Sequence, residues 1–487
     1  MSHQDRKSKE EIVVNHVSLK QAIDTLFTAK AFRKIKGVRK GATWLPRMLA
    51  VVALFWVWSR ADGLKERFRE ARRVAAKMFR WLPDPGKTYH GFLKQLRKWH
   101  VELQVLCIGE LRVLMKEGLF GNWEIAGFVI IAGDGSRIEL PRTESNEAAF
   151  SPKRKKRRAA KGGRGKGKSR GKRRGKQWRR TKRQSAAAIA KKINSPQIWL
   201  TLFWHVGTGL PYSWRTGPSD SSERQHLEEM LSELPENTLI AADAGFVGYD
   251  FWSAVMAAGH SFVIRAGANV RLLKRLGYVR ERDNTVYLWP DSAAKQGLPP
   301  LVLRMVWVHN GKHPMCLVTN VLSKTRLSDQ KVAEIYKARW GVEVFFRTFK
   351  QTFGRRKLRS HKAEHAQMEL EWSLVGLWAV CLLAQRELVK AGRDPCQLSP
   401  AAAIKAIQQT MCYYRSRPED PSESLWSMFR RALQDDYERH SSKTARNYPR
   451  KNHRERTGVP HVADASGAQI EMARELNRLM DEFRLPA

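Results

Sequence analysis

The stretch Phe128-Val-Ile-Ile-Ala-Gly-Asp-Gly-Ser136 places a carboxylate, Asp134, directly after an uninterrupted apolar run. Such a run, bounded by glycine, is typical of a strand buried on both faces. The segment Leu239-Ile-Ala-Ala-Asp-Ala-Gly245 repeats the pattern around Asp243. Each aspartate is expected at the end of its strand, where small neighbours leave room for a cation and a phosphodiester. Taken singly, an aspartate followed by glycine more often marks a turn.

The segments around these aspartates alternate between strand and helix patterns, which predicts an α/β layer over residues 125–265. Ser222 is the expected N-cap of the first helix. The predicted elements are strands at Gln197–Val206, Leu210–Arg215, Leu239–Ala242 and Ser261–Arg265, and helices at Ser222–Leu234 and Asp250–Ala258.

The chain before this layer has apolar residues at helical spacing, and the chain after it is first strand-like and then helical. Predicted helices are Val17–Phe27, Leu45–Trp58, Gly63–Phe79 and Gly91–Lys116, followed after the layer by strands at Thr285–Trp289, Leu301–Val308 and Met315–Asn320 and helices at about Ser328–Phe353 and Met368–Leu388. The tryptophans of the first region (Trp44, Trp56, Trp58, Trp81 and Trp99) suit a DNA-binding bundle and plain core equally well. The polar stretch Arg439–Arg456 is interpreted as linker or disorder.

The composition favours a nucleic-acid partner. Of 487 residues, 89 are Lys or Arg and 47 are Asp or Glu, which gives a formal net charge of +42 and favours a polyanionic partner. With 42% hydrophobic residues, a fully disordered chain is excluded. The apolar runs Met48–Trp58 and Leu374–Ala384 are about half the ~20 residues of a membrane span. Met1–Glu10 lacks the apolar region of a signal peptide, so a cytoplasmic protein is expected, with no membrane partner.

Five scattered cysteines without a CxxC pair argue against disulfides and against a zinc knuckle. The 14 histidines are likewise dispersed, so no competing zinc site is indicated.

The segment Lys153–Arg183 holds 19 Lys or Arg, six glycines and no acid. Self-repulsion predicts a solvated loop. Its functional interpretation is a phosphate-binding arm, and the alternatives are a low-complexity insertion or a run that merely resembles a nuclear-import signal. The arm's candidate DNA contacts are Lys153, Arg154, Arg173, Arg174, Arg179 and Arg180.

One face of the predicted helix Ser328–Phe353 carries an acid among cations. At about 100° per residue, Tyr336, Arg339, Glu343 and Lys350 fall within roughly 60° of one another, with Arg347 beside them. Ile335, Val342, Phe346 and Phe349 form the adjoining apolar stripe. On the helix alone, a structural salt-bridge set would be the first interpretation.

The spacing Tyr-x2-Arg-x3-Glu-x6-Lys resembles the signature of bacterial DDE transposases of the insertion-sequence 4 family, and Tyr336, Arg339, Glu343 and Lys350 match every position. Asp134 and Asp243 resemble the two aspartates of that family. The resemblance covers roughly residues 125–390. It implies an α/β fold with a ribonuclease-H-like catalytic core, a β-rich insertion and flanking helical N- and C-terminal regions. The long Lys/Arg segment after the first aspartate departs from the family pattern.

The resemblance also implies an activity and its residues. Two Mg²⁺ ions, with Mn²⁺ as a substitute, would be held by Asp134, Asp243 and Glu343, and hard cations do prefer oxygen ligands. Asp134 would bridge both ions. Arg339 and Lys350 would grip DNA phosphates, and Tyr336 would help to position the terminal phosphate. The expected reaction is cut-and-paste transposition: hydrolysis at the element ends, then attack of the freed 3′-hydroxyl on target DNA.

Further expectations follow from the family. The partners would be double-stranded DNA, as inverted-repeat ends and target, and a second copy in a synaptic homodimer near the nucleoid. An aromatic residue of the insertion could support a flipped base: Trp289 or Trp307 could serve, although core positions are the favoured interpretation of both. The predicted domains are a DNA-binding region 1–120, a core 121–268 with loop 152–184, an insertion 269–325, final catalytic helices 326–392 and a C-terminal region 393–487.

Other function classes remain open at this stage. One is a catalytically inactive, DNA-binding descendant of a transposase. Another is a different metal-dependent nuclease with a ribonuclease-H-like fold, such as a junction resolvase, against which the Tyr/Arg/Lys spacing speaks. A generic RNA-binding protein has only the basic segment in its favour.

Overall fold

A computed structural model describes residues 18–38, 41–80, 84–152, 195–309, 314–413, 424–434 and 458–482. The predicted basic arm and its six candidate DNA contacts, Trp81 and the polar stretch Arg439–Arg456 lie outside these described residues.

Ten strands of the described chain form one sheet in the order β10-β6-β7-β8-β9-β5-β4-β1-β2-β3. The strands are β1 Val129–Glu139, β2 Gln197–His205, β3 Leu210–Gly217, β4 Thr238–Ala242, β5 Ser261–Ala266, β6 Arg271–Lys274, β7 Thr285–Leu288, β8 Leu301–His309, β9 Pro314–Thr319 and β10 His461–Asp464.

Five of these strands make the core of the molecule, in the order β3-β2-β1-β4-β5. Strands β1, β2 and β3 are antiparallel neighbours, whereas β4 and β5 run parallel to β1. All five residues of β4 are buried, as expected for a parallel strand covered on both faces. This order and direction are those of a ribonuclease-H-like fold, so the predicted α/β class is confirmed.

The remaining strands extend the core sheet beyond β5. Strand β9 pairs antiparallel with β5, and β8, β7 and β6 follow by antiparallel pairing. The sequence analysis missed β10, which pairs parallel with the edge strand β6. Its four residues, His-Val-Ala-Asp, carry no alternation long enough to predict a strand. The five-domain division remains a prediction.

Helices surround the sheet at most of the predicted positions. They are residues 18–26 (α1), Ala29–Phe32 (α2), Pro46–Trp58 (α3), Leu64–Met78 (α4), Tyr89–Gly118 (α5), Glu144–Phe150 (α6), Glu223–Met230 (α7), Tyr249–Ala257 (α8), Asp291–Lys295 (α9), Asp329–Ala338 (α10), Gly341–Arg347 (α11), Ala363–Lys390 (α12), Pro400–Tyr413 (α13), Leu425–Arg430 (α14) and Gly467–Glu482 (α15).

The described tryptophans of the N-terminal helical region belong to the core. Trp56 and Trp58 are buried within α3, and Trp44 and Trp99 lie in the same hydrophobic cluster. The indole of Trp58 donates a hydrogen bond of 2.8 Å to the Gly376 carbonyl in α12. Packing therefore accounts for these side chains, and DNA binding by the helical region stays a prediction.

Strand β1 does not end where its apolar run ends. It continues through Asp134 to Glu139 because β2 pairs with it along this whole length, from Ile131 opposite His205 to Glu139 opposite Gln197. The prediction that Asp134 follows the end of its strand is therefore wrong. The parallel partner β4 does stop at Ala242, so Asp243 follows its strand as predicted.

The predicted continuous helix Ser328–Phe353 is interrupted. Helix α10 ends at Ala338, and the amides of Trp340, Val342 and Glu343 then bond three residues back instead of four. After α11, Thr348–Thr352 form a π-helical turn. Tight turns advance by about 120° per residue and a π turn by less than 100°, so a uniform 100° wheel cannot place Lys350.

Within the described residues, one helix, α12, is long and apolar enough to cross a membrane by length and composition, with a mean hydropathy of 1.3 in its most apolar 18-residue window. Of that window, 89% is buried inside the protein, against α3 and α5 among others. Burial of this extent is what a core helix shows, so the helix is weak support for a membrane span.

The contact between Gly341 and Trp204 predicts a stability effect. A Cβ at Gly341 would lie 2.0 Å from the Trp204 ring, so we expect Gly341→Ala to lower the free energy of unfolding by about 1–3 kcal/mol. Thermal unfolding measures this change. The control is Gly109→Ala in α5, where a Cβ would meet nothing within 4 Å and helix propensity favours alanine. Equal melting temperatures for the two variants would contradict the prediction.

Candidate active site

Asp134 and Asp243 lie on adjoining parallel strands at equivalent heights. Ala132 of β1 is in register with Ala241 of β4, and each aspartate follows two residues later. Neighbouring strands are about 4.8 Å apart, so the two carboxylates start from adjacent points of the sheet. Asp134 Oδ1 accepts the Gly135 amide at 2.9 Å, and Asp243 Oδ1 accepts the Gly245 amide at 2.8 Å. The Asp243 side chain thereby fixes the turn that follows it.

Glu343 joins the aspartates from α11, in the company of Arg339. The Arg339 guanidinium lies 3.5 Å from Glu343 Oε1 and 5.4 Å from the centre of the Tyr336 ring. Arg339 is itself buried. Val342 and Phe346 anchor the opposite side of the turn in the core. Tyr336, Arg339 and Glu343 therefore form one contact group, as the sequence predicted.

Lys350 reaches strand β1 from the π-helical turn. Its Nζ donates a hydrogen bond of 2.6 Å to Ser136 Oγ, two residues beyond Asp134. Burial lowers the pKa of Lys350, while the charges of Glu139 and Asp134 oppose that shift. The irregular turn therefore does place this cation beside the aspartate strand, although by a geometry that the helical wheel did not describe.

The carboxylates interact electrostatically. Burial raises the pKa of Asp134 to about 6; the Gly135 hydrogen bond and Arg339 lower it, and the negative charges of Asp243 and Glu343 raise it. Asp134 therefore interacts with one acid that follows β4 and with one acid of α11. At neutral pH the site is a half-buried concentration of negative charge.

A fourth carboxylate, Glu223, was missed by the sequence analysis. Burial, together with the charges of Asp134 and Asp243, raises its pKa to about 7. An ideal Cβ on Gly135 would lie 2.2 Å from Glu223 Oε1, so the missing side chain of Gly135 leaves the space that Glu223 fills. The next residue, Arg224, donates to the Gly245 carbonyl at 2.9 Å.

A signal for Glu223 and Arg224 existed in the sequence. Helix α7 leads into β4, so its first turn lies at the edge of the sheet where β4 ends. The Ser222 hydroxyl accepts the Gln225 amide and fixes that first turn as the predicted N-cap. Charged residues directly after this cap were therefore candidates for the site.

The structure brings six predicted residues into this neighbourhood: Asp134, Asp243, Tyr336, Arg339, Glu343 and Lys350. Arg347 is exposed on α11, and its DNA contact stays a prediction. Trp289 is buried, with its indole bonded to the Leu298 carbonyl at 2.8 Å, as expected for a core residue. Trp307 is 45% exposed, so its predicted core position is wrong.

The donor set fits a hard divalent cation by its chemistry. It consists of half-buried carboxylate oxygens whose mutual repulsion a cation would relieve. Within the described ranges, however, no three His, Cys, Asp or Glu side chains are grouped closely enough to hold a metal ion. Each of the three carboxylates has a contact to a protein donor instead, namely the Gly135 amide, the Gly245 amide and the Arg339 guanidinium.

Comparisons with known proteins place the chain in a family. A family described as "Transposase DDE domain" matches residues 127–378. Transposase InsG for insertion sequence element IS4 of Escherichia coli (strain K12) is 26% identical over 190 residues, which are 37% of this chain and 42% of the relative. The chain thus matches about two fifths of that relative's length. A cryo-EM structure of a piggyBac transposase synaptic complex with hairpin DNA aligns over 88% of both chains, at 11% identity and a TM-score of 0.39.

The raised pKa of Asp134 predicts a gain of stability on neutralisation. An acid whose folded-state pKa lies above its usual value lowers the free energy of unfolding at high pH. This loss of stability disappears as the pH falls to the usual pKa of the acid. We expect Asp134→Asn to raise the free energy of unfolding at pH 7.5 by about 2–3 kcal/mol at most, and by much less near pH 4. Thermal unfolding in EDTA measures both values.

The control for this prediction is Asp283→Asn, a change of the same type at an exposed aspartate. It should leave the melting temperature unchanged at both pH values. A gain for Asp134→Asn of equal size at pH 4 and pH 7.5 would contradict the electrostatic explanation.

Proposed function

The chain belongs to the transposase DDE domain family, and we propose that it is a DNA transposase that cuts the ends of an insertion sequence and joins them to target DNA by a cut-and-paste route. The observation that carries this proposal is the electrostatic interaction of Asp134 with both Asp243 and Glu343. In this proposal, residues far apart in the chain supply one acidic centre, and the matched Tyr, Arg and Lys positions border it.

The three acids would hold divalent ions in this proposal, with Mg²⁺ as the physiological ion and Mn²⁺ as a substitute. Such ions activate an attacking oxygen and stabilise a leaving oxygen in phosphodiester cleavage. Asp134 interacts electrostatically both with Asp243, which follows the adjoining strand, and with Glu343 on the helix. It is therefore the residue best placed to serve two ions.

The cations around the acids would orient the DNA. Arg339 is buried and holds Glu343 in place, so it can position that carboxylate and one phosphate together. Lys350 is fixed on Ser136 and presents its ammonium beside the aspartate strand. Tyr336, stacked on Arg339, would help to position the terminal phosphate.

The proposed substrates are the double-stranded inverted-repeat ends of the element and the target DNA. The net charge of +42 supports a polyanionic partner. The segment Lys153–Arg183 would add phosphate contacts by its composition. Because two ends must be cut and joined together, we propose that the chain acts as a homodimer.

Cleavage should depend on the metal and on the acids. We expect purified protein to nick duplexes that carry the element's own ends only with Mg²⁺ or Mn²⁺, and Glu343→Gln to reduce the single-turnover rate at least 100-fold, because a neutral amide is a poor ligand for a hard cation. Gel assays of end-labelled duplexes measure the rate and also detect strand-transfer products.

The matched control is Glu334→Gln on the neighbouring helix α10. Glu334 is exposed and is paired with Lys331 at 2.6 Å, away from the acidic centre, so the variant should cleave like the unaltered chain. Full cleavage by Glu343→Gln would end the catalytic assignment. Metal binding without any cleavage of cognate ends would favour the inactive, DNA-binding descendant.

Glu223 should act on the pH profile of cleavage. The charges of Asp134 and Asp243 add to the effect of burial and raise the pKa of Glu223 to about 7, so Glu223 gains its own negative charge around neutral pH. Glu223→Gln should therefore remove the change in cleavage rate that this ionisation causes between pH 6 and pH 8. Cleavage rates between pH 5 and pH 8 measure the profile, and a profile identical to that of the unaltered chain would show that the ionisation of Glu223 does not influence cleavage.

A further inference from the structure

A basic cleft of about 770 Å³ lies outside the acidic centre, between the first turns of α4 and α5 and the segment that leads into α12. Its floor is apolar, with Leu64, Phe68 and Leu93. Its rim carries cations from all three segments. The cationic residues of the rim are Lys65, Arg69, Lys87, Arg359 and Lys362, with His90, His361 and His365 between them.

The positive charge of this cleft is only partly compensated. Among the acids nearby, Glu66 is 3.4 Å from Arg69, and Asp62 is 3.2 Å from Arg359. Glu364 is 2.9 Å from Arg97, which lies on α5. The three exposed lysines of the rim, Lys65, Lys87 and Lys362, have no carboxylate within ion-pair distance in the described part of the chain.

Strand β1 connects the acidic centre to this cleft. Beyond Asp134, Lys350 bonds to Ser136, and further along the strand Glu139 exchanges backbone hydrogen bonds with Arg356 and Leu358. The chain segment after Lys350 thus runs along β1 and enters the cleft at Arg359. Five residues of strand from Asp134 to Glu139 span about 17 Å, so the cleft begins on the order of 20 Å from Asp134.

We propose that this cleft binds the phosphate backbone of double-stranded DNA about six base pairs from the bond that is cut. Successive base pairs of duplex DNA are about 3.4 Å apart, so a separation of about 20 Å corresponds to about six base pairs. Three cations without partners, contributed by three different segments, form a concave phosphate-binding surface, and the apolar floor can receive deoxyribose. The location relative to the cut bond rests on the proposed function, whereas phosphate binding by the cleft does not.

The experiment compares two triple variants that remove the same charge. The test variant is Lys65→Gln, Lys87→Gln and Lys362→Gln. The control is Lys295→Gln, Arg393→Gln and Lys405→Gln, three cations that are also exposed but lie on other elements. Binding of a fluorescein-labelled 40-base-pair duplex of random sequence is measured by anisotropy in EDTA between 50 and 300 mM salt. Circular dichroism melting confirms that both variants fold.

For the cleft variant we expect the slope of log K against log salt to fall by about 2.7, at about 0.9 per lost phosphate contact. At physiological salt its affinity should be weaker on the order of 10- to 100-fold. The control variant should keep the slope and affinity of the unaltered chain. Equal losses in the two variants would overturn the proposal, because they would show that only total charge matters.

A footprint tests the position. On a pre-cut duplex that carries an element end, hydroxyl-radical protection should appear about six base pairs from the 3′ terminus and vanish in the cleft variant. Protection that persists in the cleft variant would overturn the proposed location. Failure of the unaltered chain to cleave would refute the proposed function. The difference in salt slope between the two variants would still show whether the cleft binds phosphates.

Discussion

Burial of acidic side chains is the constraint around which the centre of the molecule is arranged. Asp134, Asp243 and Glu343 are half-buried in one neighbourhood, and burial together with their mutual charge raises the pKa of Asp134 to about 6. The fold opposes this repulsion with a rigid sheet, a buried guanidinium at Arg339 and an ammonium at Lys350. Such an arrangement lowers stability locally and is typical of a site kept for function.

Irregular helix geometry is the means by which the cations reach the acids. The tight turn after Ala338 and the π turn at Thr348–Thr352 change the direction of side chains on either side of α11. Gly341 lies directly against Trp204, so the helix approaches the sheet more closely than a larger residue would permit. Beyond the π turn, Arg355 donates to the Val57 carbonyl and to Ser373. The chain that follows the π turn is thereby tied to α3 and α12.

The parts of the fold that depend on local pattern could be predicted from the sequence. Apolar runs predicted the core strands, Ser222 marked the start of its helix, and helical spacing identified Tyr336, Arg339 and Glu343 as residues that contact one another. The errors have physical causes. The far half of β1 is defined by pairing with β2, which an amphipathic pattern does not encode. The breaks around α11 depend on tertiary contacts such as that between Gly341 and Trp204. Glu223 can be recognised as a neighbour of Asp134 only when α7 is placed against Gly135.

Strand β1 serves two regions because it is longer than its apolar run. Its first half is buried between β4 and β2 and supplies the rigid support for Asp134. Its second half has lost β4 as a neighbour, and the segment after Lys350 occupies that side instead. The polar second half of β1 would pack poorly in the core, but it can pair with the charged chain segment that follows Lys350. The same extension that the apolar pattern failed to predict links the acidic centre to the basic cleft.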